Sequence, residues 1–233
     1  MTFKGLIFDK DGTLFHFQES WGDWMYQVID ELTDGKTGEK NLMADSLGFN
    51  LKEKEFLKNS VFIAGAAGEF VSCIEPYSQN LKGDDLMEFI TNKSINLVQK
   101  PVTNLPLLFS HLKSKNILLG IATNDCEKPA LSQLEAAKIL TYFDFVAGSD
   151  SGYGAKPKAG QLLKFLSDFS LVPNDVAMIG DSTYDLKAAK TAQMYSLGVL
   201  TGVATEKELS PYADIILKSI EDLPDWLQLN TTR

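Results

Sequence analysis

The chain has 233 residues, of which 44% are hydrophobic and 23% charged, as is ordinary for a globular protein of one large or two smaller domains. Its formal net charge of −9 disfavours a nucleic-acid or anionic-membrane partner, since either would favour a basic face. The charge is compatible with a small anionic substrate, because a few local cations and a metal can dominate one pocket.

Cysteine content and hydropathy exclude further classes. Cys73 and Cys126 are too few and too far apart for a disulfide framework or a thiolate metal site. No apolar run reaches the length of a membrane span, and the chain starts directly with a strand rather than a signal peptide. We therefore expect a cytoplasmic protein.

The first predicted element is a buried strand that stops at two acids. An apolar run from Leu6 leads into Asp9, Asp11 and then Gly12, which permits a sharp turn. The period of two along a strand points both acids the same way. Such a pair can hold a hard cation, or one acid can attack phosphorus while the other moves protons. A simple turn would also explain this segment taken alone. A calcium loop would not, because Ser20 stands where its twelfth ligand should be.

Residues 16–100 show helical patterns only. A helical i, i+3, i+4, i+7 spacing of apolar residues follows the first strand, and a break over 34–38 ends it. The residues of this stripe are expected to form the core of the helical block rather than a ligand cage: Trp21, Trp24, Met25, Val28, Ile29 and Leu32. A block inserted at this point would lie directly above the carboxyl end of the first strand.

From residue 101 onward, amphipathic helices alternate with short apolar strands. Strands are predicted over 117–122, 143–148, 176–179, 195–200 and 215–217, and one of the helices between them is predicted over 129–140. This alternation predicts an α/β fold with a parallel sheet that is covered on both faces. Ligands of such sheets bind outside the carboxyl ends of the strands, where Asp9, Thr123 and Asp181 all stand. We expect a core of residues 1–15 and 101–233 and a helical cap of residues 16–100.

Four separated motifs then occur in one order along the chain: Asp9-Lys10-Asp11-Gly12-Thr13, Thr123-Asn124, Lys156-Pro157 and Gly180-Asp181-Ser182-Thr183-Tyr184-Asp185. Together they resemble the motifs of the haloacid dehalogenase-like superfamily, specifically its phosphatases. The helical insertion is similar to the cap of the phosphoglycolate-phosphatase-like branch. The resemblance implies a Rossmann-like, doubly wound parallel sheet with an inserted α-helical cap.

The resemblance also implies roles for the acids. Asp9 would be the nucleophile that forms an aspartyl-phosphate, and Asp11 would protonate the leaving alcohol and later activate water. Mg²⁺ would be held by the carboxylates of Asp9 and Asp181 and by the backbone carbonyl of Asp11. Such a cation offsets the repulsion between an anionic nucleophile and a dianionic phosphate.

The remaining motif residues are expected to bind phosphate or orient its ligands. Thr123 and Asn124 offer donors to the phosphoryl oxygens, although capping of the following helix would explain both taken alone. Lys156 precedes Pro157, which suits the start of a helix; a lysine there opposes the helix dipole, which favours a role in holding an anion. Asp185 is expected to orient Lys156 or metal-bound water, and stabilisation of its own helix explains it equally well.

Two residues depart from the pattern. Lys10 occupies the position between the two acids, where many relatives carry an apolar residue. Alternation points it away from both Asp9 and Asp11, so we expect a packing or supporting role. Cys126 as a catalytic thiolate would need a paired base, and neither His16 nor His111 lies in a motif that supplies one.

The leading hypothesis is a Mg²⁺-dependent phosphatase that acts on a small phosphorylated metabolite of the phosphoglycolate or sugar phosphate class. A phosphosugar mutase of the same fold is the enzyme alternative, and a non-catalytic phosphate-binding module is the alternative from another class. A dehalogenase is disfavoured because both Asp11 and Asp181 are present. The sequence indicates no oligomeric state, and it does not show which cap residues reach the pocket: Gln18, Ser20, Trp21, Trp24, Lys52 or Glu69.

Overall fold

A computed structural model of the chain describes residues 3–58, 60–64 and 67–231. Its strands are β1 (Gly5–Phe8), β2 (Phe49–Asn50), β3 (Glu55–Phe56), β4 (Leu118–Ala122), β5 (Phe145–Ala147), β6 (Val176–Gly180), β7 (Tyr195–Val199) and β8 (Ile215–Leu217). Its helices are α1 (Phe17–Leu32), α2 (Thr37–Leu47), α3 (Val61–Ala64), α4 (Ala67–Ile74), α5 (Gly83–Ile95), α6 (Leu105–Ser114), α7 (Glu127–Ala136), α8 (Gly160–Asp168), α9 (Thr183–Thr191), α10 (Glu206–Leu209) and α11 (Leu223–Thr231).

Six strands form one parallel sheet in the order β5-β4-β1-β6-β7-β8. The first strand of the chain, β1, lies in the interior of the sheet. Strands β4 and β5 extend the sheet on one side of β1, and β6, β7 and β8 extend it on the other. Side chains alternate between the two faces: Phe8 packs in one hydrophobic cluster with Phe109 of α6, and Ile7 packs in another with Phe165 of α8. The predicted fold class, a doubly wound α/β sheet of Rossmann type, is confirmed.

Element bounds in the core differ from the prediction by a few residues. Helix α7 ends at Ala136 instead of 140, because the chain turns through a positive φ of 59° at Lys138 and continues as a 3-10 turn. Strand β5 spans only Phe145–Ala147 within the predicted 143–148. Apolar composition at both sites extends past the hydrogen-bonded element, so it does not mark the ends.

Helices α1 to α5 are inserted between β1 and β4 and share a hydrophobic cluster of their own. The predicted stripe of α1 is buried in that cluster, from Trp21 to Leu32. The expectation of helices alone was wrong in one place, since β2 and β3 form a short antiparallel hairpin. The domain bounds at 15/16 and 100/101 remain a prediction. None of the helices in the described part of the chain has both the length and the apolar character of a membrane span.

The two ends of the insertion run side by side above the sheet. The His16 N–H donates to the Lys100 carbonyl over 2.8 Å, and the Ser20 hydroxyl accepts from the Lys100 N–H over 3.0 Å. Gln133 of α7 also donates to the carbonyl of Ser94 at the end of α5 over 2.8 Å. These bonds place the insertion over the carboxyl ends of β1 and β4.

Candidate active site

The predicted site residues meet at the carboxyl edge of the sheet. Asp9 follows β1, Thr123 follows β4 and Asp181 follows β6, while Lys156 lies in the loop between β5 and α8. These side chains are buried, as is Asp185 in the first turn of α9. All of them, together with Asp11 and Asn124, line one cavity of about 80 Å³ between the sheet and the insertion.

Lys156 lies between two of the acids. Its Nζ is 2.7 Å from Asp9 Oδ1 and 2.6 Å from Asp185 Oδ1. Burial alone would lower the pKa of Lys156, but the charges of Asp185 and Asp9 outweigh it and raise the pKa above the ordinary lysine value. The side chain is therefore a fixed cation at the base of the cavity.

The acids carry more negative charge than this one lysine balances. Burial raises the pKa of Asp9 from 3.8 to about 7, against the lowering effect of Lys156. Burial, followed by the charges of Asp9 and Asp185, raises the pKa of Asp181 well above its ordinary value. Full ionisation of the group would therefore need additional positive charge.

Three carboxylates are placed to share a cation. Oxygen atoms of Asp9, Asp181 and Asp185 all lie within 4.8 Å of one another. Carboxylate oxygens are the ligands of hard divalent cations, and such an ion would supply the missing positive charge. The donor set therefore fits a divalent metal. Sequence reasoning gave Asp185 only an orienting role; its side chain is in fact close enough to the other two to take part in the same cluster.

Two glycines allow the backbone to approach Asp181. At Gly12, which has a φ of +84°, a Cβ would lie 2.4 Å from Asp181 Oδ2; at Gly202 the distance would be 1.7 Å. The Thr13 hydroxyl donates to Asp181 Oδ1 over 3.1 Å. Any larger side chain at Gly202 would displace this carboxylate. Thr13 lies in the first motif, but sequence analysis assigned it no role, and Gly202 belongs to no motif that would have marked it.

Asp11 lies at the contact between core and insertion. Its Oδ1 accepts from Trp21 Nε1 of α1 over 2.7 Å and from Gln99 Nε2 over 3.1 Å. The expectation that Lys10 points away from Asp11 was wrong, since Lys10 Nζ lies 2.5 Å from Asp11 Oδ2. Alternation fixes where the first carbon of a side chain points, but the flexible lysine chain is long enough to turn back.

Lys10 is fully buried among polar partners. Besides Asp11, its Nζ donates to Gln133 Oε1 over 2.6 Å and pairs with Asp125 Oδ2 at 3.2 Å. Gln99 completes the network by donating to Gln133 Oε1 over 2.7 Å. The expected supporting role for Lys10 therefore has a defined form, because the lysine joins Asp11 to residues that follow β4.

Neither Thr123 nor Asn124 caps the next helix, because the N-cap of α7 is Cys126. The Thr123 hydroxyl accepts from the N–H of Asp125 over 3.1 Å, and its own proton can still be donated into the cavity. The Asn124 amide is used differently from the expectation. Its Oδ1 accepts from the Lys156 N–H over 2.8 Å and its Nδ2 donates to the Lys156 carbonyl over 3.0 Å.

The helix start predicted at Pro157 was wrong, since α8 begins only at Gly160. Lys156 is therefore held by Asn124 from the neighbouring loop and not by a helix entrance. Both explanations of Asp185 apply. Its Oδ2 accepts from the Ser182 N–H over 3.0 Å in a capping box of α9, while its Oδ1 faces Lys156.

The insertion contributes an apolar wall to the cavity. This wall consists of Phe17, Trp21, Trp24, Phe62, Phe70 and Ile90. Among the residues proposed from the sequence to reach the pocket, Trp21 and Trp24 do so, and Glu69 lines an adjoining cavity. The stripe of α1 thus forms the core of the insertion, as predicted, and two of its residues also face the ligand space.

Cys126 does not have the environment of a nucleophile. Burial, assisted by the negative charges of Asp150 and Asp125, raises the pKa of its thiol from 9.0 to about 11. Within the described residues, the cavity wall includes neither His16 nor His111. Neither histidine is therefore available as a base in the described lining of the cavity, and the carboxylate of Asp150 beside the thiol raises its pKa rather than lowering it.

A doubly wound sheet with paired aspartates after its first strand and an inserted helical block defines a class of α/β hydrolases. The chain matches the sequence model of the haloacid dehalogenase-like hydrolases over residues 6–199 and belongs to that family. It is 24% identical over 205 residues to PpaX of Clostridium perfringens, which carries the name of a pyrophosphatase; the match covers 88% of this chain and 87% of that protein.

One further relative and one solved structure are also similar to this chain. The phosphoglycolate phosphatase of Escherichia coli K12 is 33% identical over 113 residues, which are 48% of this chain and 45% of that enzyme. A predicted phosphoglycolate phosphatase from Haemophilus somnus superposes with a TM-score of 0.74 at 18% identity, covering 97% of this chain and 98% of that one. At that identity the structural likeness shows the fold alone.

Proposed function

We propose that the protein is a phosphatase that hydrolyses a small phosphorylated metabolite through an aspartyl-phosphate on Asp9. The observation that carries the proposal is the position of Lys156, whose ammonium lies 2.7 Å from Asp9 Oδ1 at the base of the cavity. A cation beside a buried carboxylate can hold a phosphate dianion against a nucleophile of the same charge. The names of the relatives support the same reaction class.

The first half of the reaction transfers the phosphoryl group to the protein. A carboxylate oxygen of Asp9 forms a bond to phosphorus, and the bond from phosphorus to the ester oxygen breaks. The leaving oxygen takes the proton of Asp11. Lys156 and the hydroxyl of Thr123 compensate the charge on the phosphoryl oxygens throughout.

The second half returns the protein to its starting state. Asp11, now a carboxylate, takes a proton from a water molecule whose oxygen attacks the phosphorus. The bond between phosphorus and Asp9 breaks, phosphate leaves, and Asp11 again carries the proton for the next turnover.

The carboxylates of Asp9 and Asp181, with the backbone carbonyl of Asp11, are the proposed holders of Mg²⁺, and Asp185 lies close enough to contribute. When bound, the ion supplies charge neutralisation between the nucleophile and the phosphate. Asp185 has a second task, because its 2.6 Å contact keeps the Lys156 ammonium directed toward the phosphate position.

The test is phosphate release from a panel of phosphomonoesters, measured with Mg²⁺ and with a chelator. Metal-dependent release that is lost in Asp9→Asn and kept in Asp45→Asn, a control at an exposed acid, is the expected result. Absence of release from every monoester would overturn the proposal, as would an Asp9→Asn variant with normal turnover.

A further inference from the structure

The two sides of the cavity differ sharply in chemistry. The side that faces the sheet carries the acids and Lys156, whereas the opposite wall is built from aromatic and aliphatic residues of the insertion. Trp24 and Phe70 are almost fully buried and contact each other with ring centroids 6.4 Å apart; Phe62 stacks on Trp24 at 5.7 Å. The phosphate of a substrate would therefore lie against charge and its alcohol part against carbon.

Among the described residues, no second cationic side chain lines this cavity. Within the described lining of the cavity, Lys156 is the one positively charged residue, and it is already paired with Asp9 and Asp185. The chain has a single arginine, Arg233, which lies outside the described residues. A substrate carboxylate or second phosphate placed against the apolar wall would be buried without a partner, which is strongly unfavourable.

The wall also has few hydrogen-bonding groups for a sugar. The Trp21 N–H donates to Asp11 and the Ser94 hydroxyl to the carbonyl of Thr91, so both are already used. The indole N–H of Trp24 is buried and has no hydrogen-bond partner among the described residues. A buried donor of this kind is costly unless something accepts from it. One acceptor on a substrate would satisfy it, while the several hydroxyls of a sugar would lose their hydrogen bonds to water.

A second cavity adjoins the first and differs from it in having an exposed lysine in its lining. It shares Ile63, Ser182 and Tyr184 with the first cavity and is lined in addition by the exposed Lys58. A substrate anion could reach a cation there only by extending out of the apolar space.

We propose, resting on the phosphatase function above, that the preferred substrate is a phosphomonoester whose alcohol part is uncharged and apolar, with one aromatic ring and one hydrogen-bond acceptor. The ring packs on Trp24, Phe62 and Phe70, and the acceptor takes the Trp24 N–H. Substrates with a carboxylate or several hydroxyls, such as 2-phosphoglycolate and glucose 6-phosphate, are turned over more slowly.

The experiment compares kcat/KM for benzyl phosphate, the three pyridylmethyl phosphates, 2-phosphoglycolate and glucose 6-phosphate, all with Mg²⁺. Each is the ester of a primary alcohol, which limits differences in leaving-group basicity. Burial of the ring against the apolar wall favours benzyl phosphate, so its kcat/KM is expected to exceed those of the last two esters by roughly tenfold or more. One pyridylmethyl isomer matches benzyl phosphate in size and adds the acceptor, and it is expected to exceed benzyl phosphate roughly fivefold.

Two variants test which residues cause the substrate preference. Trp24→Phe keeps a ring but removes the N–H, so it should lower the ratio of kcat/KM between the pyridylmethyl isomer and benzyl phosphate from roughly five to about one. Lys58→Ala should leave every ratio unchanged. Faster turnover of 2-phosphoglycolate or glucose 6-phosphate than of benzyl phosphate would overturn the inference while supporting the phosphatase activity. Loss of that faster turnover in Lys58→Ala would show that the substrate anion reaches Lys58. No phosphate from any ester would overturn both.

Discussion

Lys10 Nζ lies 2.5 Å from Asp11 Oδ2, so the proposed acid–base residue is paired with its own neighbour in the chain. The second carboxylate oxygen of Asp11 accepts from Trp21 of the insertion over 2.7 Å. One carboxylate therefore contacts a core lysine and a cap tryptophan at once. Any displacement of α1 relative to the sheet would change the position of Asp11, which couples the location of the cap to the proton transfer that we propose.

Lys10→Met should destabilise the fold. The change leaves the carboxylates of Asp11 and Asp125 without their buried cation, and breaking such a pair costs about 3–5 kcal/mol in the free energy of unfolding. Lys4→Met is the matched control, because Lys4 pairs with Asp175 at 2.6 Å on the surface and exposed pairs are worth about 0–1 kcal/mol. Denaturant unfolding measures both.

A double variant separates charge from packing. Adding Asp125→Asn to Lys10→Met removes one of the two stranded charges, so we expect recovery of at least about 1 kcal/mol. Equal losses in Lys10→Met and Lys4→Met, or no recovery in the double variant, would contradict the network as a source of stability.

Asp9→Asn should stabilise the metal-free protein while abolishing turnover. Burial raises the pKa of Asp9 from 3.8 to about 7, so the folded state keeps this proton to a higher pH than the unfolded state does. Stability from this group is present at low pH and is lost as the pH rises from about 4 to about 7. The amide in Asp9→Asn cannot ionise, so the folding stability of the variant does not fall with rising pH through this group.

The measurement is a series of unfolding curves between pH 4 and 8 with a chelator present. The unaltered protein should lose stability along the series, and Asp9→Asn should lose less. Some loss should remain, because the pKa of Asp181 is raised by the same burial. Phosphate release should fall by a factor on the order of 1,000 or more. A steeper loss of stability in Asp9→Asn would show that folding does not raise the pKa of Asp9.

Much of the site was predictable because parallel strands end at one edge. Once buried strands are recognised, the residues that follow them must lie together, which brought Asp9, Thr123 and Asp181 into one pocket. What could not be predicted depends on side-chain length or on loops without periodicity. Lys10 turns back to Asp11 through rotatable bonds, and Gly202 is marked only by the closeness of Asp181.

The hairpin of the insertion was missed for a similar reason. Its strands have two residues each, too few to show a period of two. Its turn depends on the Asn50 side chain, whose Oδ1 accepts from the N–H groups of Lys52 and Glu53 over 3.0 and 3.1 Å. Such local bonds between a side chain and the backbone define a turn without any apolar pattern.

Cys126 should be an unreactive thiol in the folded protein. Its pKa is raised to about 11 and its exposed fraction is 8%, so little thiolate is present near neutral pH. Alkylation by iodoacetamide at pH 8, followed by peptide mass spectrometry, should modify Cys126 at least about 100-fold more slowly than in the denatured chain. Cys126→Ala should keep phosphate release within about twofold. Rapid inactivation by modification of Cys126 would reopen the thiolate hypothesis.

Gly202→Ala should weaken the metal dependence of turnover without unfolding the protein. A Cβ at this position would lie 1.7 Å from Asp181 Oδ2, so the carboxylate must move away from the position it shares with Asp9 and Asp185. We expect the Mg²⁺ concentration for half-maximal phosphate release to rise by roughly tenfold or more, as for the loss of a supporting contact in a metal site. Gly38→Ala is the control, because a Cβ there meets nothing within 4 Å. An unchanged Mg²⁺ requirement in Gly202→Ala, at normal stability, would argue against Asp181 as a ligand.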